Sequence, residues 1–142
     1  MRQLVRESQK SQRLANLATT LYMKSPTNRK RLLENVDRFI RDKFTYSDEK
    51  IETLQHPDYM LKGLEVYNRL IGDCDDITML HAALLIALGF QVHFVAIRDK
   101  HEDPNFNHVY LETENNGDWI MYDITLPLGT QVEYFGRIAV MV

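Results

Sequence analysis

The chain has 142 residues, of which 44% are hydrophobic and 26% are charged, and its formal net charge is −3 at pH 7. These values are ordinary for a globular domain and predict one domain over residues 1–142. The weak acidic balance gives no reason to expect nucleic-acid binding, and no apolar tract provides the about 20 residues that a membrane span needs. Because residues 1–7 turn polar before any apolar region forms, they do not resemble a secretion signal, and we expect a cytoplasmic protein.

The N-terminal segment is predicted to be helical. Apolar residues recur there at helical spacing, at Leu14, Leu17, Ala18 and Leu21, which predicts one helix over about residues 3–23. The moderate width of this apolar stripe leaves two alternatives for residues 1–24. They either pack on the core or lie at its periphery as a surface for a partner.

A second helix is predicted after Ser25-Pro26, with the serine as its cap, and it ends near Lys43. Its exposed face is expected to carry five charged residues: Arg29, Glu34, Asp37, Arg38 and Asp42. Phe44–Tyr46 then reads as a short extended segment. A helical turn over residues 48–54 and a break at Pro57 are predicted in the mixed stretch that follows.

The only cysteine of the chain, Cys74, stands at the head of an apolar run that continues to Leu88. This run predicts a helix that starts near Cys74 and is ended by Gly89. A lone thiol cannot form an internal disulfide, and a helix N-terminus stabilises a thiolate. Cys74 is therefore a candidate nucleophile, and the three acidic neighbours Asp73, Asp75 and Asp76 argue against a buried structural cysteine.

After Gly89 the spacing of apolar residues changes from helical to alternating, which predicts strands. Four are expected, over residues 91–98, 108–114, 118–125 and 132–142, with a polar loop over residues 99–106 and a bulge at Gly136. Asn115-Asn116-Gly117 is a strong signal for a hairpin. Helices followed by an antiparallel sheet indicate the α+β class.

The hairpin places two further reactive side chains together. A two-residue turn at Asn116-Gly117 puts His108 and Asp123 on the same face as diagonal neighbours, roughly 7 Å apart at Cα. An imidazole held by a carboxylate activates a nearby thiol. The developing oxyanion needs donors, for which we expect the Cys74 backbone N–H and a side-chain amide of Gln55 or Asn68.

The segments Gly72-Asp73-Cys74-Asp75-Asp76, His108-Val109-Tyr110 and Trp119 to Thr125, in this order, resemble the transglutaminase-like superfamily over about residues 30–130. The likeness is greatest to its small bacterial and phage-borne members. It implies a papain-like α+β core, with N-terminal helices and a central cysteine-bearing helix packed on an antiparallel sheet. Cys74 is implied as nucleophile, His108 as base and Asp123 as its orienting partner.

The resemblance implies thiol-dependent acyl transfer or hydrolysis at a peptide or side-chain amide of a peptide or protein substrate. Because the superfamily also includes inactive binding forms, the alternative is a binding or structural assembly protein on the same fold. Related bacterial proteases bind calcium beside the cysteine, which makes Asp73, Asp75 and Asp76 a candidate calcium site; no other cofactor is expected. Substrate identity and oligomeric state do not follow from the sequence.

Two other kinds of site are disfavoured. Zinc binding by Cys74 with a histidine would normally show close ligand spacing, which is missing for the four candidates His81, His93, His101 and His108. An Asp-x-Asp phosphohydrolase would need a buried strand before Asp73 and a βαβ series after it, and neither pattern is found.

Overall fold

A computed structural model of the protein describes residues 1–47, 54–98, 108–127 and 136–142. Within these ranges it contains helices α1–α5 and strands β1–β6. In chain order these are α1 Arg2–Ser8, α2 Gln12–Lys24, α3 Arg29–Lys43, β1 Phe44–Tyr46, α4 Pro57–Tyr67, β2 Leu70–Gly72, α5 Cys74–Ala87, β3 Val92–Arg98, β4 His108–Asn115, β5 Asp118–Tyr122 and β6 Gly136–Met141.

The strands form two sheets, a parallel β1–β2 pair and a four-stranded antiparallel sheet in the order β5-β4-β3-β6. The predicted α+β class is therefore confirmed. None of the helices in the described ranges has the length and apolar character needed to cross a bilayer.

Helix α5 is the centre of the fold. Its residues from Asp76 to Leu85 are all buried, and it contacts helices α1 to α4 and strands β2 to β4. A helix that is apolar around its whole circumference must be enclosed in this way. Its C-terminus is closed by a Schellman motif in which Phe90 N–H donates to the Leu85 carbonyl, with Gly89 at φ +90°. The predicted end of the helix at Gly89 is confirmed.

The N-terminal segment is two helices, so the predicted single helix over about residues 3–23 is wrong. Ser11 interrupts it, because its hydroxyl accepts the Leu14 N–H at 3.1 Å and caps α2. Serine competes with helical backbone bonds in this way, which favours caps over helix interiors. Val5 of α1 and Leu21 of α2 are buried in the core, so residues 1–24 pack on it.

Helix α3 starts later than predicted. Asn28, not Ser25, is its cap, and accepts the Arg31 N–H at 3.0 Å. Ser25 instead ends α2 and accepts a hydrogen bond from the Asn35 amide at 2.9 Å. The predicted exposure of Asp37 is also wrong: its side chain is buried and paired with Arg41.

Pro57 begins α4, whereas the sequence suggested a break there. His56 caps this helix by accepting the Asp58 N–H at 3.1 Å, and proline suits the first helical position because that N–H has no intrahelical partner. Most of the helical turn predicted over residues 48–54 lies outside the described residues, and Leu54 is not helical.

The hairpin follows the predicted register. Asn115 pairs with Asp118 across a two-residue turn, in which Asn116 and Gly117 have φ of 54° and 88°. Strand β5 ends at Tyr122, earlier than predicted. Gly136 begins β6 in continuous register with β3, so the bulge predicted at Gly136 is wrong. The loop predicted over residues 99–106 and the start of the strand predicted from residue 132 lie outside the described residues.

His81 is enclosed in the core rather than at its edge, with 1% of its surface exposed and its ring edge-on to Tyr122. Burial, helped by the positive charge of Arg41, lowers the pKa of His81 to about 3. The unfolded chain, in which histidine has a pKa of about 6.5, therefore binds a proton that the folded chain excludes. This contribution destabilises the fold progressively as pH falls from about 6.5 towards 3.

Replacing His81 with leucine should make the fold less sensitive to acid. We expect the fall in melting temperature between about pH 7 and pH 4.5 to be smaller in His81→Leu than in the wild type, because the variant has no buried imidazole to protonate on unfolding. Thermal melts followed by circular dichroism measure this difference. An equal fall in both proteins would contradict a neutral, buried His81.

Candidate active site

The start of α5 is closed by two reciprocal hydrogen bonds. Asp73 Oδ1 accepts the Asp76 N–H at 3.0 Å, and Asp76 Oδ2 accepts the Asp73 N–H at 3.1 Å. This is a capping box, with Cys74 as the first helical residue. The thiol therefore lies at the positive end of the helix dipole, where a thiolate is stabilised.

Asp76 also fixes the segment that precedes α4. Its carboxylate accepts hydrogen bonds from the backbone N–H of Gln55 at 2.9 Å and from the Gln55 side-chain amide at 3.1 Å. The close approach of this carboxylate to β2 requires a glycine at position 72. A Cβ on Gly72 would lie 2.8 Å from both Cβ and Oδ2 of Asp76, a distance that forces a displacement.

The aspartates beside Cys74 do not fit the candidate calcium site. Asp73 and Asp76 use their oxygens to cap α5 and to hold Gln55. Burial, together with the negative charges of Asp73 and Asp76, raises the pKa of Asp75 and disfavours its charged form. In the described ranges no group of three or more histidine, cysteine, aspartate or glutamate residues is arranged to hold a metal ion.

His108, the first residue of β4, lies against Asp123. Its Nε2 is 2.5 Å from Asp123 Oδ2. The other oxygen of this buried carboxylate accepts the backbone N–H of Thr125 at 3.0 Å and its hydroxyl at 2.7 Å. Burial alone would raise the pKa of Asp123, but the hydrogen bonds from His108 and Thr125 outweigh it and hold this pKa below its ordinary value.

The Cys74 thiol lies on the other side of the His108 ring, close enough to interact with it, and both residues line one cavity. Since Nε2 faces Asp123, Nδ1 is the nitrogen left for the sulfur. The hydrogen bond with Asp123, followed by the interaction with Cys74, raises the pKa of His108 to about 10, against the opposing effect of burial. The ring is thus protonated at neutral pH, between one buried carboxylate and one half-buried sulfur.

Cys74 and His108 line a cavity of about 690 Å³. The cavity is lined mainly by apolar and aromatic side chains, with one guanidinium: Arg41, Phe44, Tyr46, Cys74, His108, Ile124, Thr125, Leu126 and Pro127. A mainly apolar cavity with a few polar groups is typical of a binding site.

A family model described as a transglutaminase-like domain matches residues 12–141. The chain belongs to the transglutaminase-like family. The matched range includes Cys74, His108 and Asp123, and it extends beyond the residues on which the resemblance was first based. No curated protein matches the chain.

Two solved structures share the transglutaminase-like fold. A candidate protease from Parabacteroides distasonis aligns with a TM-score of 0.64 and 17% identity over 84% of this chain. A candidate cysteine protease from Cytophaga hutchinsonii aligns with a TM-score of 0.60 and 20% identity over 91% of this chain. The chain spans only 25% and 46% of the lengths of these two proteins.

The two side-chain amides predicted as oxyanion donors lie elsewhere. The Gln55 amide donates to the Ile71 carbonyl at 3.1 Å as well as to Asp76, so both of its hydrogens have acceptors in the protein. Asn68 is exposed at the left-handed C-cap of α4, where its oxygen accepts a hydrogen bond from Lys43 at 2.8 Å. Neither residue lines the cavity, so the oxyanion role expected for Gln55 or Asn68 does not fit the structure.

Arg41 is a charged residue of the cavity for which the sequence contains no signal. Its guanidinium donates to the backbone carbonyls of Asp123 and Leu126. Backbone acceptors leave no mark in a sequence, and these lie more than 80 residues from Arg41. The remaining histidine of the sheet, His93, stacks on Trp119 with ring centroids 3.7 Å apart, so these two rings pack together outside the cavity.

Alanine substitutions at two glycines test how the cysteine is positioned. Gly72→Ala should lower the free energy of unfolding by about 1–2 kcal/mol, because the new Cβ displaces Asp76 and breaks the cap of α5. Gly63→Ala is the matched control. It lies inside α4 with open space around the added Cβ, and should raise stability by roughly 0.5–1 kcal/mol. Urea denaturation measures both values, and equal effects would contradict the proposed need for glycine at position 72.

Proposed function

We propose that the protein catalyses thiol-dependent acyl transfer or hydrolysis at a peptide or side-chain amide, with Cys74 as nucleophile, His108 as acid–base and Asp123 as orienting partner. One observation carries the proposal: the His108 ring is hydrogen-bonded to Asp123 and lies beside the Cys74 thiol at the wall of an open cavity. The fold shared with a candidate cysteine protease supports it.

The raised pKa of His108 defines the starting state of the reaction. At neutral pH the imidazolium lies beside the sulfur and stabilises its thiolate form, while Asp123 stabilises the imidazolium. The thiolate attacks the carbonyl carbon of the amide, and a carbon–sulfur bond forms. The carbonyl oxygen becomes an oxyanion.

The backbone N–H of Cys74 supplies one donor for this oxyanion. As the first helical residue, Cys74 has an N–H without an intrahelical acceptor, and the helix dipole adds to its effect. Collapse of the tetrahedral intermediate breaks the carbon–nitrogen bond. The leaving amine takes the proton from His108 Nδ1, which leaves a thioester and a neutral imidazole.

A second nucleophile then resolves the thioester. Neutral His108 removes a proton from an entering water or amine, which attacks the thioester carbon. Breaking of the carbon–sulfur bond returns the thiolate and the imidazolium. Water gives hydrolysis of a peptide or deamidation of a side-chain amide, whereas an amine gives a transferred acyl group.

Alkylation of Cys74 tests the imidazolium–thiolate state. Iodoacetamide should react quickly with the wild type at about pH 6, where an ordinary thiol is mostly protonated and slow. The rate should fall at least about tenfold in His108→Ala, because the stabilising imidazolium is lost. His93→Ala is the matched control, since His93 lies on the same sheet outside the cavity, and its rate should match that of the wild type.

Acylation distinguishes an enzyme from a binding protein on the same fold. After addition of p-nitrophenyl acetate, mass spectrometry should show an acetyl adduct on Cys74 that forms and then decays in the wild type. In His108→Ala any adduct should persist, since no base activates water. Slow alkylation that is identical in all variants, with no acetyl adduct, would contradict the proposal and favour a binding or structural role.

A further inference from the structure

Asp123 is held by a turn and not by the sheet. Strand β5 ends at Tyr122, and the Leu126 N–H donates to the Asp123 carbonyl at 3.3 Å to close a turn over residues 123–126. In the described residues the pairing of β4 with β5 ends at Leu111 and Tyr122, so Asp123 lies just beyond the ladder. Its position depends on what holds this turn.

Arg41 of α3 holds the turn at both ends. Its Nη2 donates to the Asp123 carbonyl at 2.8 Å, and its Nη1 donates to the Leu126 carbonyl at 2.5 Å. The guanidinium is planar, so its donors point in fixed directions. Two bonds from one rigid group to the two ends of a four-residue turn fix both the place and the orientation of that turn.

Asp37 fixes the orientation of the Arg41 guanidinium. It lies one helical turn before Arg41 and is 3% exposed, and its Oδ2 accepts the Arg41 Nε–H at 2.8 Å. All three nitrogens of Arg41 are thus bonded within the protein. The long side chain cannot change rotamer without leaving a buried carboxylate uncompensated.

We propose that Arg41, oriented by Asp37, is a positioning residue that holds the turn over residues 123–126 so that the Asp123 carboxylate meets the His108 ring. This inference rests on the proposed function, in which Asp123 supports the charge of His108. Arg41 acts on the reaction through Asp123, because its bonds reach the backbone of the turn. The protein therefore has a chain of contacts from Asp37 through Arg41, Asp123 and His108 to Cys74.

The test compares alkylation of Cys74 by iodoacetamide over a range of pH in Arg41→Ala, Asp123→Ala and the double variant. Arg41→Ala should slow alkylation at about pH 6 by about tenfold, because a displaced Asp123 carboxylate no longer stabilises the imidazolium beside the sulfur. The double variant should be no slower than Asp123→Ala alone, because Arg41 acts only through that carboxylate. A purely structural role would instead lower the rate in both backgrounds.

Two further variants control for charge and folding. Arg41→Lys keeps the charge but loses the fork that reaches both carbonyls, so it should also be slower than the wild type. It provides the comparison if Arg41→Ala does not fold. Arg38→Ala removes an exposed guanidinium from the same helix and should leave the rate unchanged.

The possible failures are distinguishable. If Asp123→Ala alkylates as the wild type does, the proposed function itself is contradicted. If Asp123→Ala is slow but Arg41→Ala and Arg41→Lys match the wild type, only the role of Arg41 is overturned. Equal slowing by the Arg41 substitution with and without Asp123 would also overturn it.

Discussion

The hydrogen bond between His108 Nε2 and Asp123 Oδ2, 2.5 Å long, sets the charge of the site. A carboxylate that is buried and already accepts two hydrogen bonds from Thr125 is fixed in position, so it selects one orientation of the imidazole. That orientation leaves Nδ1 for the sulfur of Cys74. The raised pKa of His108 follows from these two contacts, and with it the proposed thiolate.

Three separate parts of the fold supply these groups, and each is fixed by a different physical device. The capping box of Asp73 and Asp76 holds Cys74 at the start of a fully enclosed helix. Pairing with β3 holds His108 at the start of β4. The turn that carries Asp123 is held by side-chain hydrogen bonds, so it is the part of the site with the least support from regular secondary structure.

The sequence predicted those features that have a local and periodic cause. The change from helical to alternating spacing located the sheet, and the tight turn at Asn116-Gly117 fixed a register that puts His108 and Asp123 on one face. The glycine after α5 marked the end of that helix, because only a residue that tolerates positive φ closes a Schellman motif easily.

Features that depend on contacts distant in sequence were not predicted. Asp37 has the spacing of a surface charge in its helical pattern, and its pairing with the guanidinium of Arg41 accounts for its burial. The position of Gln55 depends on hydrogen bonds to Asp76, 21 residues away. Gln55 therefore contacts the cap of α5 and does not serve as the expected oxyanion donor. A serine fits either a helix interior or a helix cap, and a proline fits either a break or the first position of a helix. The local sequence did not distinguish these alternatives for Ser11, which caps α2, or for Pro57, which begins α4.

The charge on His108 can be measured directly. Long-range ¹H–¹⁵N correlation spectra, recorded across pH on the wild type and on Asp123→Asn, report the protonation of each ring nitrogen. We predict an imidazolium protonated on both nitrogens at neutral pH, which loses its proton well above the ordinary range of histidine and does so at lower pH in the variant. A ring that is neutral at pH 7 in the wild type, and unchanged by the substitution, would contradict this prediction.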